Sequence, residues 1–475
     1  MTKPLSKSQS GESTELAHNA VGQFGALAQS VGIQAPAAGI ALVPSVMALT
    51  VGRAAPLAFL LGIVAGLFVC YVYVRLTRKF VNAGGNYTFA AIMLGPAIGF
   101  LVAWGWIFIG LTNAAGTISQ AADYLGYAFS KVGVGFFATG SGWIVLAIVF
   151  WALVIYVAFL AVSISTRVLL IIEGIVCALI VVAGIIVLAK GGYHGTSFSF
   201  SYFNPHGTPV SSLFLGISIS FLGFGAFEAA AFLGEETSLP RRRIPVAIVS
   251  SVIFSGLMYT FGAWFEAVGF HSTSALASSP TPLFTVTQEY ASGNLATTLA
   301  FLTSFSAFAS SLGLTNALLR ISFALCRDGF LSPRLAVTHP RFKSPYRILA
   351  IVALPILILS IAFFWTSAAN AFDWVTTTGA YFYTITYIII SAGGLYFFNR
   401  VRSEIRWHSI LIPLVSLGIT GYALYSSVYP APPFPFNILP WIALAWLAIG
   451  IVIIASAKHL RQTLRRSEMF EAQQG

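Results

Sequence analysis

Hydrophobic positions along this chain fall in long, nearly uninterrupted runs bounded by charge, Gly or Pro, without the narrow apolar stripe of a soluble amphipathic helix or the alternation of a half-buried strand. A bilayer span needs roughly 20 mostly apolar residues. Runs of that kind lie near residues 20–50, 55–75, 95–127, 143–162, 167–189, 210–235, 244–268, 293–323, 347–365, 372–398, 408–428 and 437–457. The pattern predicts an all-α polytopic membrane protein of about 12 transmembrane helices, with a single transmembrane domain over 19–458 between short polar tails at 1–18 and 459–475. The apolar stretch after residue 18 outruns a signal-peptide core and shows no clear cleavage site, so no removable targeting segment is expected.

Composition narrows the class further. Charged residues make up 8% of 475 positions and hydrophobic residues 57%, whereas a soluble domain carries about a quarter charged residues. A cytosolic enzyme, a disordered chain and a nucleic-acid binder are thereby excluded, and lipid becomes the expected solvent of the apolar surface. The net charge of +11 is explained by topology. With the amino terminus in the cytoplasm, all but Arg53, Lys131 and Lys190 of the 25 Lys and Arg fall on the cytoplasmic side. The positive-inside rule therefore predicts a multi-pass protein of the cell membrane with both termini cytoplasmic. Arg461, Arg465 and Arg466 are expected at anionic headgroups.

Catalytic chemistry has little to stand on. The seven His residues fall in tails, loops or span ends, no HExxH occurs, and Cys70, Cys177 and Cys326 form no close-spaced pair. No enzyme activity, cofactor or metal site is expected. Only Glu173 and Glu228 lie well inside predicted spans, while Asp123, Glu266 and Asp373 sit near span ends. Intramembrane carboxylates are costly and mark function by default, which directs attention to binding and gating.

Two spans carry signs of a break. The run from 20 to 50 is too long for one straight span, and Gly32 with Pro36 predicts an interruption near 29–34. The sixth span reads Phe221-Leu-Gly223-Phe224-Gly225-Ala226-Phe227-Glu228, with two glycines in mid-membrane. Either break alone is also what a packing kink looks like. Both occupy the first span of a five-span set, and such correspondence points to inverted-repeat transporters, whose freed backbone groups bind ions and zwitterions.

Three segments carry a family resemblance. Glu228-Ala-Ala-Ala-Phe-Leu-Gly-Glu235-Glu236-Thr237-Ser-Leu-Pro240 through Ile244-Pro245 resembles the signature between spans 6 and 7 of the amino acid-polyamine-organocation permeases. Ala83-Gly84-Gly85-Asn86-Tyr87-Thr88 with Leu94-Gly95-Pro96 is similar to their segment after span 2, and Arg327-Asp328-Gly329-Phe330-Leu331 to their segment after span 8. The resemblance covers at least residues 20–400. It implies the 5+5 inverted-repeat, leucine-transporter-type fold with broken helices 1 and 6: repeat one at about 19–190, repeat two at about 207–399, and two extra helices at about 407–458.

The same resemblance implies roles. A substrate carboxylate would lie on backbone N–H groups of Gln29, Ser30, Val31 and Gly32, and an amino group on carbonyls of Phe221, Gly223, Phe224 and Gly225. The usual Gly-Ser-Gly of the first break is replaced here, which narrows the site or demands another head group. Phe221, Phe224 and Phe227 are either a gate or ordinary packing. Glu228 is expected to close the inner path. The expected partner is a small-molecule amino acid or amine, moved by alternating access. Some relatives hold a Lys in span 5, but this chain has none within a span and carries Glu173 there instead. A carboxyl buried in the membrane is costly when charged, so H+ is the first choice of coupling ion. Ser310 and Ser311 offer oxygen ligands for Na+, and exchange also stays open. Asn113, Thr117, Gln120 and Asn316 are further polar candidates for reading the substrate. A channel would need a continuous polar pore, and a nutrient sensor an added output domain; neither is evident.

Overall fold

A computed structural model describes residues 15–160, 162–205, 207–400 and 406–456. Among these, regular structure is helical, apart from one isolated bridge between Val21 and Thr237. The helices are α1 (Gln23–Gln34), α2 (Pro36–Ile40), α3 (Val43–Val51), α4 (Ala55–Lys79), α5 (Asn86–Leu94), α6 (Pro96–Lys131), α7 (Trp143–Phe159), α8 (Val162–Lys190) and α9 (Val210–Gly223). A 3-10 turn, Phe227–Leu233, leads to α10 (Pro240–Gly269), α11 (Thr273–Ala277), α12 (Pro282–Tyr290), α13 (Gly293–Arg327), α14 (Tyr346–Ile361), α15 (Ala368–Arg400), α16 (Trp407–Val428) and α17 (Leu439–Ser456). Seven helical stretches are long and apolar enough to cross a membrane, and four shorter apolar helices accompany them. The Arg461, Arg465 and Arg466 cluster lies outside the described residues.

Helix starts follow local chemistry. Pro56, Pro96 and Pro240 occupy first-turn positions of α4, α6 and α10, where the missing N–H costs nothing. The sequence does not announce α5 as an element of its own. Gly85 precedes it at φ 49°, with the Phe232 ring where a Cβ would stand, so glycine is required there. That turn aims the buried Asn86 inward.

The long helix α6 is the centre of the bundle, packed along α13 and α15. Small residues permit the approach: Gly110 faces Leu318 of α13, and Gly116 faces Thr376 of α15. On the periphery, Trp104 and Trp446 stack at 4.4 Å, and each indole N–H donates to the other residue's carbonyl, at 2.8 and 2.9 Å. Leu49, Leu354, Trp441 and Val452 point outward, as the lipid-facing side of a spanning bundle requires.

One end of the bundle gathers the basic residues and is laced shut. Val21 N–H donates to the Glu236 carbonyl at 3.0 Å, and Ser238 N–H to the Val21 carbonyl at 3.0 Å, so the segment before α1 is paired with the segment after the 3-10 turn. Arg320 of α13 meets Glu236 at 2.7 Å in a pair almost entirely withdrawn from solvent, and Arg320 also donates to the Asn316 carbonyl at 3.0 Å. Arg327 grips Glu235 with two bonds of 2.8 and 2.9 Å. Removing one member of the buried pair leaves an uncompensated charge. Glu236→Gln should therefore cost about 3–5 kcal/mol, read as a lowered melting temperature of the purified protein. Arg320→Met combined with Glu236→Leu should recover much of that loss.

Candidate functional site

The first span is interrupted, but not where the sequence suggests. Gln29, Ser30, Val31 and Gly32 lie inside the continuous α1, where their N–H groups belong to the helix ladder. The chain breaks at Ala35, which takes a left-handed φ of 40°, and a second irregularity at Ala41–Leu42 separates α2 from α3. Proline accounts for the position. Pro36 disfavours helical geometry for the residue before it, removes the N–H that would continue the ladder, and serves as the first residue of α2. Gly32 is tolerated within α1 because the Leu169 side chain packs against it.

A broken helix in an apolar interior leaves donors and acceptors that must find partners. Here they come from distant spans. The Ser310 hydroxyl donates to the Ile33 carbonyl at 2.7 Å. Beyond the break, the Ala38 N–H donates to Ser306 Oγ at 3.1 Å, and Ser306 in turn donates to Glu173 Oε1 at 2.5 Å. The Glu173 carboxylate also accepts from the Ala37 backbone N–H and from Cys177 Sγ at 3.8 Å. Glu173 therefore sits on the amino end of α2, and Arg167, its nearest basic residue in sequence, is exposed and takes no part.

The second break lies between α9 and the 3-10 turn, with Ala226 at φ 63°. The Ala226 N–H donates to the Tyr387 hydroxyl of α15 at 2.8 Å, and that hydroxyl donates to Glu228 Oε2 at 2.9 Å. Asn86 Nδ2 donates to Glu228 Oε1 at 2.9 Å, and the carboxylate accepts from its own backbone N–H as well. The two breaks are joined directly. Gln34 Nε2 donates to the Phe224 carbonyl at 2.8 Å, and Ser30 donates to the Phe227 carbonyl at 2.7 Å while accepting from the Ala230 N–H. Ser255 of α10 holds the other end of the Gln34 amide at 2.7 Å.

Between the breaks and the first half of α15 is a cavity of about 230 Å³. Its wall contains backbone of Ile33, Ala35, Gly223 and Gly225, the polar side chains Gln34, Asn113, Thr117, Gln120, Ser310 and Thr376, and the rings of Tyr259, Phe372 and Tyr383. Among the described residues, no Asp, Glu, Lys or Arg lines it. At Gly223 the space a Cβ would occupy is open. The cavity lies on the far side of the breaks from the ion pairs that close the basic end.

Of the residues singled out in the sequence, Gly223, Gly225, Ser310, Asn113, Thr117 and Gln120 line this cavity. Gln29, Ser30, Val31, Gly32, Phe224, Ser311, Glu173 and Glu228 do not. Gln29 donates to the Gly313 carbonyl at 2.9 Å and Ser311 to the Ala114 carbonyl at 2.9 Å, both helix-to-helix ties. Asn316 meets Ser165 and Arg320. Phe224 is buried beside Tyr259, Phe227 stacks on Tyr387 at 5.2 Å, and the Phe221 side chain lies outside the described residues. Sequence reasoning missed Gln34, Ser306, Tyr259 and Tyr387. The dipeptide Ala35-Pro36 was the available signal for Gln34; the others depend on contacts between spans.

Comparison with known proteins adds identity to this geometry. Residues 21–455 match the amino acid permease family. The branched-chain amino acid permease of Lactococcus lactis subsp. cremoris (strain MG1363) is 23% identical over 299 residues, which are 59% of this chain and 62% of that protein, so less than two thirds of that relative is spanned. The low-affinity putrescine importer of Escherichia coli (strain K12) is 22% identical over 410 residues, 84% of this chain and 85% of the importer. An uncharacterized transporter of Rhizobium meliloti (strain 1021) is 28% identical over 322 residues, 63% of this chain and 65% of its own. With a helical membrane-spanning bundle, two interrupted spans and a family match over nearly its whole length, the chain belongs to the amino acid permeases of the amino acid-polyamine-organocation superfamily, a multi-pass membrane transporter and not an enzyme.

Proposed function

We propose that this chain is a secondary active permease that carries a small neutral amino acid across the cell membrane by alternating access, coupled to protons. The carrying observation is the cavity of about 230 Å³ bracketed by both helix breaks and free of charged side chains. Its size falls below the roughly 300–1,000 Å³ of drug-sized sites, which suits one amino acid. An amino acid is a zwitterion with no net charge, so the neutral polar side chains of the wall, Gln34, Asn113, Thr117, Gln120, Ser310 and Thr376, can meet its two ends without a fixed counter-charge. A diamine would bring two positive charges to the same place, and Glu228, sealed behind Tyr387 and Asn86, is not within the wall to receive one. The relatives divide between a branched-chain amino acid permease and a putrescine importer, and this cavity favours the former chemistry.

Coupling is assigned to Glu173. Its carboxylate occupies the freed N–H of Ala37 and, through Ser306, that of Ala38. Ala38 also lines the cavity, so the groups that Glu173 holds border the substrate's space. A proton on Glu173 removes the charge that binds these donors and lets α2 shift relative to α8 and α13; substrate that binds one arrangement better than the other then biases the exchange between states. The basic end, stapled by Arg320–Glu236 and the Val21–Thr237 pairing, is the inner gate in this reading, with both termini cytoplasmic. Sodium coupling or pure exchange is the alternative; the Ser310 and Ser311 hydroxyls donate to the Ile33 and Ala114 carbonyls, which leaves their oxygen lone pairs as the ligands that sodium would need.

In proteoliposomes, an inside-alkaline gradient should drive uphill entry of a branched-chain amino acid without sodium. Glu173→Gln should keep exchange and lose the uphill component. Uphill entry that requires sodium and ignores pH contradicts the proton assignment. The cavity is tested separately by Gly223→Leu, whose side chain would fill open space. Uptake should fall to background with the melting temperature unchanged, and wild-type uptake would remove the cavity from the transport path.

A further inference from the structure

Arg53 is one of the three basic residues that stand apart from the basic end of the bundle, and transport as described gives it no task. It follows α3 in a 3-10 turn, Gly52–Ala54, at the opposite end of the molecule. Its guanidinium lies 5.0 Å over the ring of the buried Tyr202 and borders a second cavity of about 320 Å³. His194, His271, Ser272 and Thr273 share that wall, and among the described residues no carboxylate does. Among the described residues Arg53 has neither an ion-pair nor a hydrogen-bond partner. The contact with the ring spends none of the forked N–H groups, which are the groups that recognise phosphate oxygens.

The surroundings indicate where the phosphate comes from. The segment carrying Tyr202 also carries Tyr193, Phe198 and Phe200, all exposed. Phe200 lies 4.8 Å from the ring of Trp264, whose indole N–H is tied to the Ser199 carbonyl at 2.7 Å. Exposed aromatic rings at a bundle end are the mark of a membrane–water interface, with rings at headgroup depth. A cationic cavity at that depth, beside apolar surface able to receive acyl chains, fits a lipid better than a free ion.

We propose that Arg53 and this cavity hold the phosphate of an anionic lipid in the leaflet at that end of the bundle. The lipid would sit where the turn after α3 meets the α10–α11 corner, since Gly52, Arg53, Phe270 and Thr273 all border the cavity. Native mass spectrometry of the full chain in detergent, titrated with phosphatidylglycerol or phosphatidylcholine, tests this. Wild type should retain phosphatidylglycerol preferentially, and Arg53→Gln should weaken that retention about tenfold, the scale of one charge-assisted hydrogen-bonding group. Arg53→Lys, which keeps charge but loses the fork, should fall between, and Lys131→Gln, at another basic site of the same end, should behave as wild type. Melting curves confirm that each variant is folded. Equal retention by wild type and Arg53→Gln overturns the site. Displacement of the lipid by millimolar inorganic phosphate, without preference between the two lipids, overturns the lipid assignment in favour of a free anion.

Discussion

A helix that breaks inside an apolar bundle must give its freed N–H and C=O groups somewhere to bond, because neither lipid nor a dry core supplies water. This requirement organises the molecule. At the first break the partners are Ser310, Ser306 and Glu173; at the second Tyr387 takes the freed Ala226 N–H and, with Asn86, holds Glu228; and Gln34 and Ser30 connect one break to the other. Each break is thus held by a carboxylate and a hydroxyl, contributed largely by other spans. The helices that carry them are in turn fixed by close contacts at small residues, such as Gly110 and Gly116 along α6. What is left unfilled between these satisfied groups is the cavity.

Such a design separates holding from binding. The buried carboxylates Glu173 and Glu228 are occupied by the protein's own backbone and stay out of the cavity wall, which is neutral. In the proposed reading, the neutral polar wall receives a zwitterion, and the carboxylate behind it takes up protons without touching substrate. In the proposed reading, the ion pairs at the basic end close the inner route, while the cavity lies on the other side of the breaks.

The apolar membrane-spanning character and the all-helical class were legible in the sequence because they depend on local composition alone. The position of the first break was legible in principle. Gly32 drew attention a turn too early, since a glycine only weakens a helix, whereas Pro36 removes a ladder donor and disfavours helical geometry at Ala35. Most of the partners of the breaks were not legible. Ser306 meets Glu173 across 133 residues, and Tyr387 meets Glu228 across 159, so nothing near either carboxylate in sequence identifies its neighbour. Asn86 belonged to a segment noted for its resemblance, yet its aim depends on the turn at Gly85 and on α5, an element that short polar runs do not reveal.

The central claim is that substrate occupies the space between the two breaks. Thiol labelling tests it most directly, since the native Cys70, Cys177 and Cys326 are buried and Ala380 lines the cavity. A cysteine introduced as Ala380→Cys should react with a small water-soluble thiol reagent, and a transported branched-chain amino acid at saturating concentration should slow that reaction severalfold while leaving Ser197→Cys, an exposed loop position, unaffected. An unchanged labelling rate at Ala380→Cys in the presence of an amino acid that the same variant demonstrably transports would contradict the account.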